Sequence, residues 1–124
     1  MSGPEAHWRA SLDSGRFLIQ RSVNGGEAVF PPRIAAPGSG EALEWVEACG
    51  LGTVYSVTII GRRPPEPDYN VVLVDLDEGV RMMSRVEGVE PGAVRIGMRV
   101  AARIIREDDK PLLVFDPLET QHGG

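Results

Sequence analysis

Apolar and polar positions follow a strand-like rhythm through most of this chain, with a helical exception at its start. Residues 4–13 place Trp8, Ser11 and Leu12 at i, i+3 and i+4, which is one face of a short helix. Ser14-Gly15 follows as a stop, because glycine accepts the left-handed conformation beyond a helix end. Residues 17–20 and 28–30 then flank Asn24-Gly25-Gly26, and Asn-Gly is the strongest short hairpin signal. Pro31-Pro32 and Pro37-Gly38 interrupt the chain before strand texture resumes near Leu43.

Five strands are expected beyond that point. Residues 53–60 are rich in β-branched side chains and roughly alternate, and residues 70–76 form a nearly continuous apolar run. Between them, Arg62-Arg63-Pro64-Pro65-Glu66-Pro67-Asp68 is a loop that its prolines exclude from any central strand. Asp77-Glu78-Gly79 turns into a strand over 80–86, Pro91-Gly92-Ala93 starts a tight connection, and residues 98–105 form the next strand. Asp108-Asp109-Lys110 is a hairpin turn before residues 112–115, and the tail 120–124 is expected to be loose. This order of strands, hairpins and one long loop suits a small OB-type Greek-key barrel, with an SH3-like barrel the nearest competitor on pattern alone. The reading gives an N-terminal helix (1–15), a turn-rich segment (16–42), a mainly β barrel (43–118) and a tail (119–124).

Composition narrows the function classes. A chain of 124 residues is long enough to bury a core without staples, and its 15 glycines and 10 prolines favour a turn-rich β fold. One cysteine precludes an internal disulfide, so folding needs no oxidising compartment. No apolar run approaches the length that spans a bilayer, and the first residues lack a signal peptide's basic-then-apolar layout. A cytoplasmic location without membrane attachment is therefore expected. The net charge of −5 argues against a general nucleic-acid binder, yet leaves room for a local basic pocket.

Catalytic constellations are not found. There is no Ser-His-Asp order, H-E-x-x-H, Walker loop or G-x-G-x-x-G. Cys49 lies far in sequence from both His7 and His122, so it reads as a buried or half-buried structural thiol. Asp75, Asp77 and Glu78 can in principle bind a cation or share a proton, but they read as a solvated turn, as do Asp108 and Asp109. Arg62 and Arg63 are the most informative charges, because guanidiniums on a proline-stiffened loop hold phosphate with little loss of ordering entropy. Arg33, after Pro31-Pro32, joins them if the first segment folds back on the barrel. Arg81 and Arg85 share a strand face; Tyr55 and Tyr69 read as core or partner contacts rather than a base-stacking platform.

A resemblance sharpens this picture. Arg21-Ser22-Val23-Asn24-Gly25-Gly26, then Phe30-Pro31-Pro32-Arg33, then Ala36-Pro37-Gly38-Ser39-Gly40 reproduce the spacing of a two-knuckle zinc ribbon, C-x-x-C, ten residues, C-x-x-C-G. Ser22, Gly25, Ala36 and Ser39 stand at the four thiolate positions. Further matching pieces are Gly15-Arg16-Phe17-Leu18-Ile19-Gln20-Arg21, Leu43-Glu44-Trp45-Val46, Gly52-Thr53-Val54-Tyr55-Ser56 and Arg95-Ile96-Gly97-Met98-Arg99-Val100. From about Trp8 to Pro117 the chain resembles the zinc-ribbon/OB-fold domain-of-unknown-function family that accompanies thiolase-like and other acyl-CoA enzymes. The resemblance implies a rubredoxin-like ribbon, here degenerate and metal-free, between the helix and a five-stranded OB-fold.

It also implies a non-catalytic accessory subunit that binds a thiolase-superfamily enzyme or a hot-dog-fold hydratase and helps line the passage used by coenzyme A. Two other functions compete with it. One is a stand-alone acyl-CoA or nucleotide-phosphate binding module using Arg62, Arg63 and Arg33; the other, ranked last, is an OB-fold nucleic-acid binder. Structural zinc takes four Cys or His ligands, whereas Gly25 and Ala36 offer none and the Ser22 and Ser39 hydroxyls ionise only at great cost. Elemental analysis of the purified protein is accordingly expected to find no stoichiometric zinc, and a chelator to leave Tm unchanged. One zinc per chain overturns this expectation.

Overall fold

In the computed structural model, the residues described are 3–23, 28–35, 40 and 42–118. They form one helix, α1 (Pro4–Asp13), and eight strands. The strands are β1 (Leu18–Ser22), β2 (Ala28–Val29), β3 (Leu43–Glu47), β4 (Leu51–Ile60), β5 (Tyr69–Leu76), β6 (Arg81–Ser84), β7 (Arg99–Glu107) and β8 (Lys110–Pro117), with a 3-10 turn at Pro91–Ala93. β2, β1 and β3 make one antiparallel sheet; β6, β5, β4, β7 and β8 make a second in that order. No described helix is long and apolar enough to cross a membrane.

The helix begins with Pro4 at its first turn and ends where Gly15 turns back at φ +86°, its N–H donating to Leu12 O. Ser11 and Leu12 are buried, and α1 packs against β1 and β8. Trp8 meets Phe30 edge-on at 5.5 Å, which fixes the helix over the first sheet. The hairpin expected around Asn24-Gly25-Gly26 is present as the β1–β2 pairing, Gln20 opposite Val29, while the turn itself lies outside the described residues. The expected break at Pro37-Gly38 and the tail also lie outside them.

One strand pairs elsewhere than its texture suggests. β3, which the sequence reading groups with the barrel, runs antiparallel to β1, with Leu18 opposite Glu47 and Ser22 opposite Leu43. Strand texture reports half-burial on a pleated surface; it does not name the neighbour. The passage from this sheet into the barrel is only Ala48, Cys49 and Gly50. It is bonded on both sides: Ala48 N–H donates to Phe17 O at 3.0 Å, and Ala102 N–H donates to Gly50 O at 2.7 Å.

The barrel core follows from alternation. Along β5, Asn70, Val72, Val74 and Leu76 are buried and the residues between them are not. Gly52 sits where a Cβ would fall 2.6 Å from Val74 Cγ1 and 2.8 Å from Asp75 O, so no larger residue fits without moving backbone. A register shift between Val54 and Ser56 marks a bulge at Tyr55. Asp108 and Asp109 have φ of 54° and 65°, the two left-handed positions of a tight hairpin, and set Glu107 opposite Lys110.

Closure is parallel. Val86 bridges Phe115 on β8; Phe115 N–H donates to Arg85 O, Glu87 N–H to Phe115 O, and Ser84 Oγ to Leu113 O. This closure and strand order identify an OB-type barrel rather than an SH3-like one. The Val86 backbone, left over by that bridge, is taken by a buried carboxamide: Asn70 Nδ2 donates to Val86 O at 3.0 Å, and Val86 N–H to Asn70 Oδ1 at 2.8 Å. Asn70→Leu keeps the size and removes both bonds. With two buried backbone groups then unpaired, urea unfolding is expected to show a loss of about 2–4 kcal/mol. A loss below about 1 kcal/mol would show that water satisfies Val86 equally well.

Candidate functional site

The Arg62 loop leaves β4 at its C-terminal end and returns at β5. Asp68 Oδ1 accepts the Arg62 N–H at 3.2 Å, and Glu66 N–H donates to Arg63 O, so the loop is tied at its base and turned at its tip. The Arg62 guanidinium lies 4.3 Å from the Tyr69 ring centroid, a cation–π contact that orients it. Its nearest carboxylate oxygen, Glu66 Oε1, is 3.8 Å away, beyond hydrogen-bond reach. Arg63 is exposed and forms no ion pair among the described residues.

Two adjoining cavities share Arg62, Tyr69, Asn70 and Arg85 in their walls. One, of about 270 Å³, continues past Pro67, Glu87 and Pro91; the other, of about 300 Å³, continues past Met83 and Leu113. Arg85 is already neutralised there. It bonds Glu107 and Glu87, and these bonds, that to Glu107 foremost, raise its pKa further above its ordinary value. Arg62 is the looser cation of the pair, and Arg63 extends the positive charge along the loop.

The third expected member stands apart. Arg33 is held through its backbone, with Gln20 Nε2 donating to Arg33 O and Arg33 N–H donating to Gln20 Oε1, both at 2.7 Å. Gln20 is buried. Arg33 borders a cavity of about 400 Å³ with His7, Ile34 and Trp45, and neither cavity beside Arg62 includes it. Folding of the first sheet against α1 turns this segment toward the helix, which separates Arg33 from the Arg62 loop.

Other residues singled out by sequence are spoken for. Asp75 accepts from Arg81 Nε at 2.6 Å and Nη2 at 3.2 Å; Asp77 accepts from both Arg99 Nη atoms, at 2.8 and 2.9 Å. Neither is the free acid of a proton-sharing pair, and both are ion-paired rather than merely solvated. Cys49 is exposed, contrary to the expected burial, because it lies in the short passage between sheets. Its N–H donates to Glu78 Oε2 and its Sγ accepts from Leu51 N–H, while His7 packs at a tilt against Trp45, ring centroids 4.7 Å apart. Of the four ribbon ligand positions only Ser22 is described, and it is buried; Gly25, Ala36, Ser39 and also His122 lie outside the described residues. Among the described residues no three His, Cys, Asp or Glu side chains gather to hold a metal.

What sequence reading missed is the cross-strand pairing of arginines with carboxylates. Arg81–Asp75 and Arg103–Asp116 each cross a hairpin, while Arg99–Asp77 and Arg106–Asp13 join parts farther apart along the chain. The signal was present for one of them. The two-residue Asp108-Asp109 turn fixes Arg103 opposite Val114, which puts Asp116 on the diagonal.

Comparison with known proteins agrees with this architecture. The family profile "ChsH2, C-terminal OB-fold domain" matches residues 45–104. The probable enoyl-CoA hydratase alpha subunit of Thermomonospora curvata is 35% identical, over 94% of this chain but only 38% of its own length. A DUF35 domain-containing scaffold protein of Pyrococcus furiosus is 33% identical, over 88% of this chain and 85% of its own. The solved structure "Ltp2-ChsH2(DUF35) aldolase" superposes with a TM-score of 0.82 at 32% identity, covering 94% of this chain and 96% of that one.

The paired carboxylates carry a pH signature. The Arg103 hydrogen bond holds the Asp116 carboxyl below its usual value against the opposing effect of burial, and Arg99 does the same for Asp77. A carboxylate depressed in the folded state stabilises above the unfolded pKa near 4, and that stability is lost as pH falls through the folded value. Urea midpoints are expected to fall on acidification below about pH 4, and Asp116→Asn to flatten part of that decline. Superimposable curves for the two proteins would show that the Arg103 pair contributes nothing.

Proposed function

The chain belongs to the DUF35 family of OB-fold proteins, and from that premise we propose that it is a non-catalytic accessory subunit of an acyl-CoA-processing complex. The observation that carries this reading is likeness along nearly the whole chain to a DUF35 scaffold protein and to the ChsH2(DUF35) component of an aldolase. Its partner is a thiolase-superfamily enzyme or a hot-dog-fold hydratase, which supplies the reacting groups. The pairing of Asp75 with Arg81 and of Asp77 with Arg99 supports the assignment, since both carboxylates are engaged within the chain.

Arg62 and Arg63 are the coenzyme A contact in this reading. Arg62 is only loosely paired with Glu66, at 3.8 Å, and its orienting by Tyr69 lowers the ordering cost of binding phosphate. Arg33 meets the partner or the ligand separately, from the first sheet. The ribbon keeps its strands without zinc, the Gln20–Arg33 bonds tying in the segment that a metal would otherwise anchor. The complex works in the cytoplasm, away from membrane and nucleic acid; the net charge of −5 supports the last point.

Co-expression with the thiolase-superfamily enzyme encoded beside it is expected to give one co-eluting complex. In that complex, calorimetry is expected to show coenzyme A affinity weakened about tenfold or more by Arg62→Ala with Arg63→Ala, at unchanged Tm. Unaltered affinity would show that other cations hold the ligand. A chain that stays monomeric beside the enzyme yet binds coenzyme A by itself would instead be a stand-alone binding module.

A further inference from the structure

The solvent-facing side of β4, β5 and β6 carries an apolar surface that its own electrostatics have already organised. Register places Ser56 opposite Leu73 and Leu73 opposite Met83 on this side, one step from Thr53 opposite Asp75 opposite Arg81. Tyr55, at the bulge, is 49% exposed and Met83 is 70% exposed. Arg81 lies 3.4 Å from the Tyr55 ring centroid and is held at its edge by both oxygens of Asp75. Carboxylate, guanidinium and ring thus make one connected surface group, whose aromatic member is large and half-exposed.

Such a group is costly to leave in water and cheap to bury in a complex. The Arg81 contact restrains the ring before any partner arrives, which lowers the side-chain entropy lost on binding. Tyrosine, arginine and methionine are the residue types enriched at interface centres, where a few pre-ordered anchors carry most of the energy. Charge points the same way. Although the chain is net negative, Asp75 and Asp77 on this face are neutralised by Arg81 and Arg99, so the surface suits an uncharged apolar patch and neither a basic nor an acidic one. Met83 also lines the 300 Å³ cavity beside Arg62, which makes the face continuous with the coenzyme A contact described above.

We propose that this outer face, centred on Tyr55, Leu73 and Met83, is where the acyl-CoA enzyme docks. The proposal rests on the accessory-subunit reading and adds its location. An enzyme seated here has the Arg62 loop at the edge of the contact, where a ligand passing between the two proteins meets both. Ile34 is more exposed still, at 87%, but it lies on the side of Arg33 and Trp45 and no arginine–carboxylate group holds it.

The test compares binding of the co-expressed enzyme by wild type, the double variant Tyr55→Ala with Met83→Glu, Met83→Glu alone, and Ile34→Glu, measured by biolayer interferometry. The double variant is expected to bind at least about thirtyfold more weakly, and Ile34→Glu to bind as wild type does. Circular dichroism melting checks that the barrel persists. Met83→Glu alone, at a side chain with few neighbours, keeps the comparison decisive should the double variant unfold. Wild-type affinity in a folded double variant, or loss of binding in Ile34→Glu alone, overturns this location while leaving the accessory role standing. No binding by wild type overturns both. Sedimentation of the chain by itself separates one further outcome: a dimer that the double variant abolishes would make the face a self-contact, and the proposal falls.

Discussion

Closing a five-stranded barrel requires two strands that no hairpin joins to find each other, and here the Asn70 side chain fixes that meeting. The parallel bridge between Val86 and Phe115 uses the backbone groups of Arg85, Glu87 and Phe115, which leaves both polar groups of Val86 to the buried Asn70 side chain. A carboxamide presents an N–H beside a carbonyl oxygen, as a peptide group does, so a single side chain completes what a missing strand would have supplied. Leucine, valine or a charged residue at position 70 lacks that pairing. Around this point lie Phe115 and Val114, both wholly buried, and the cavities that border Arg62 share the Asn70 wall.

The same device recurs at the other end of the molecule. Gln20, on β1, takes both backbone groups of Arg33. In each case a buried amide takes both backbone groups of a single residue that lies outside the main strands. Surface electrostatics are of a different kind. Individual exposed ion pairs contribute modestly, and their use here is to consume charge: where Arg81, Arg99 and Arg103 meet carboxylates the surface becomes neutral, whereas Arg62 has only a long pairing with Glu66.

Much of this was legible in the residues. Pro4, Trp8, Leu12 and Gly15 define the helix and its end, and Asp108-Asp109 announces the tight hairpin with its left-handed positions. Alternation around Val72 and Val74 assigns the core face of β5. What escaped was every feature set by pairing rather than by pattern. The residues 43–47 have strand chemistry that fits either sheet, and only their register with β1 decides between them. Cys49 has the composition of a buried residue and the position of a connector. The Tyr55 bulge leaves alternation nearly intact in sequence while shifting register by one. The separation of Arg33 from Arg62 depends on where the helix packs, which no local stretch encodes.

The three-residue passage through Ala48, Cys49 and Gly50 has a mechanical consequence. Its first residue is hydrogen-bonded to the chain entering β1 and its last to β7, so both ends of the join are tied down. A turning moment on the small sheet is therefore passed to the barrel through backbone hydrogen bonds as well as through the chain itself.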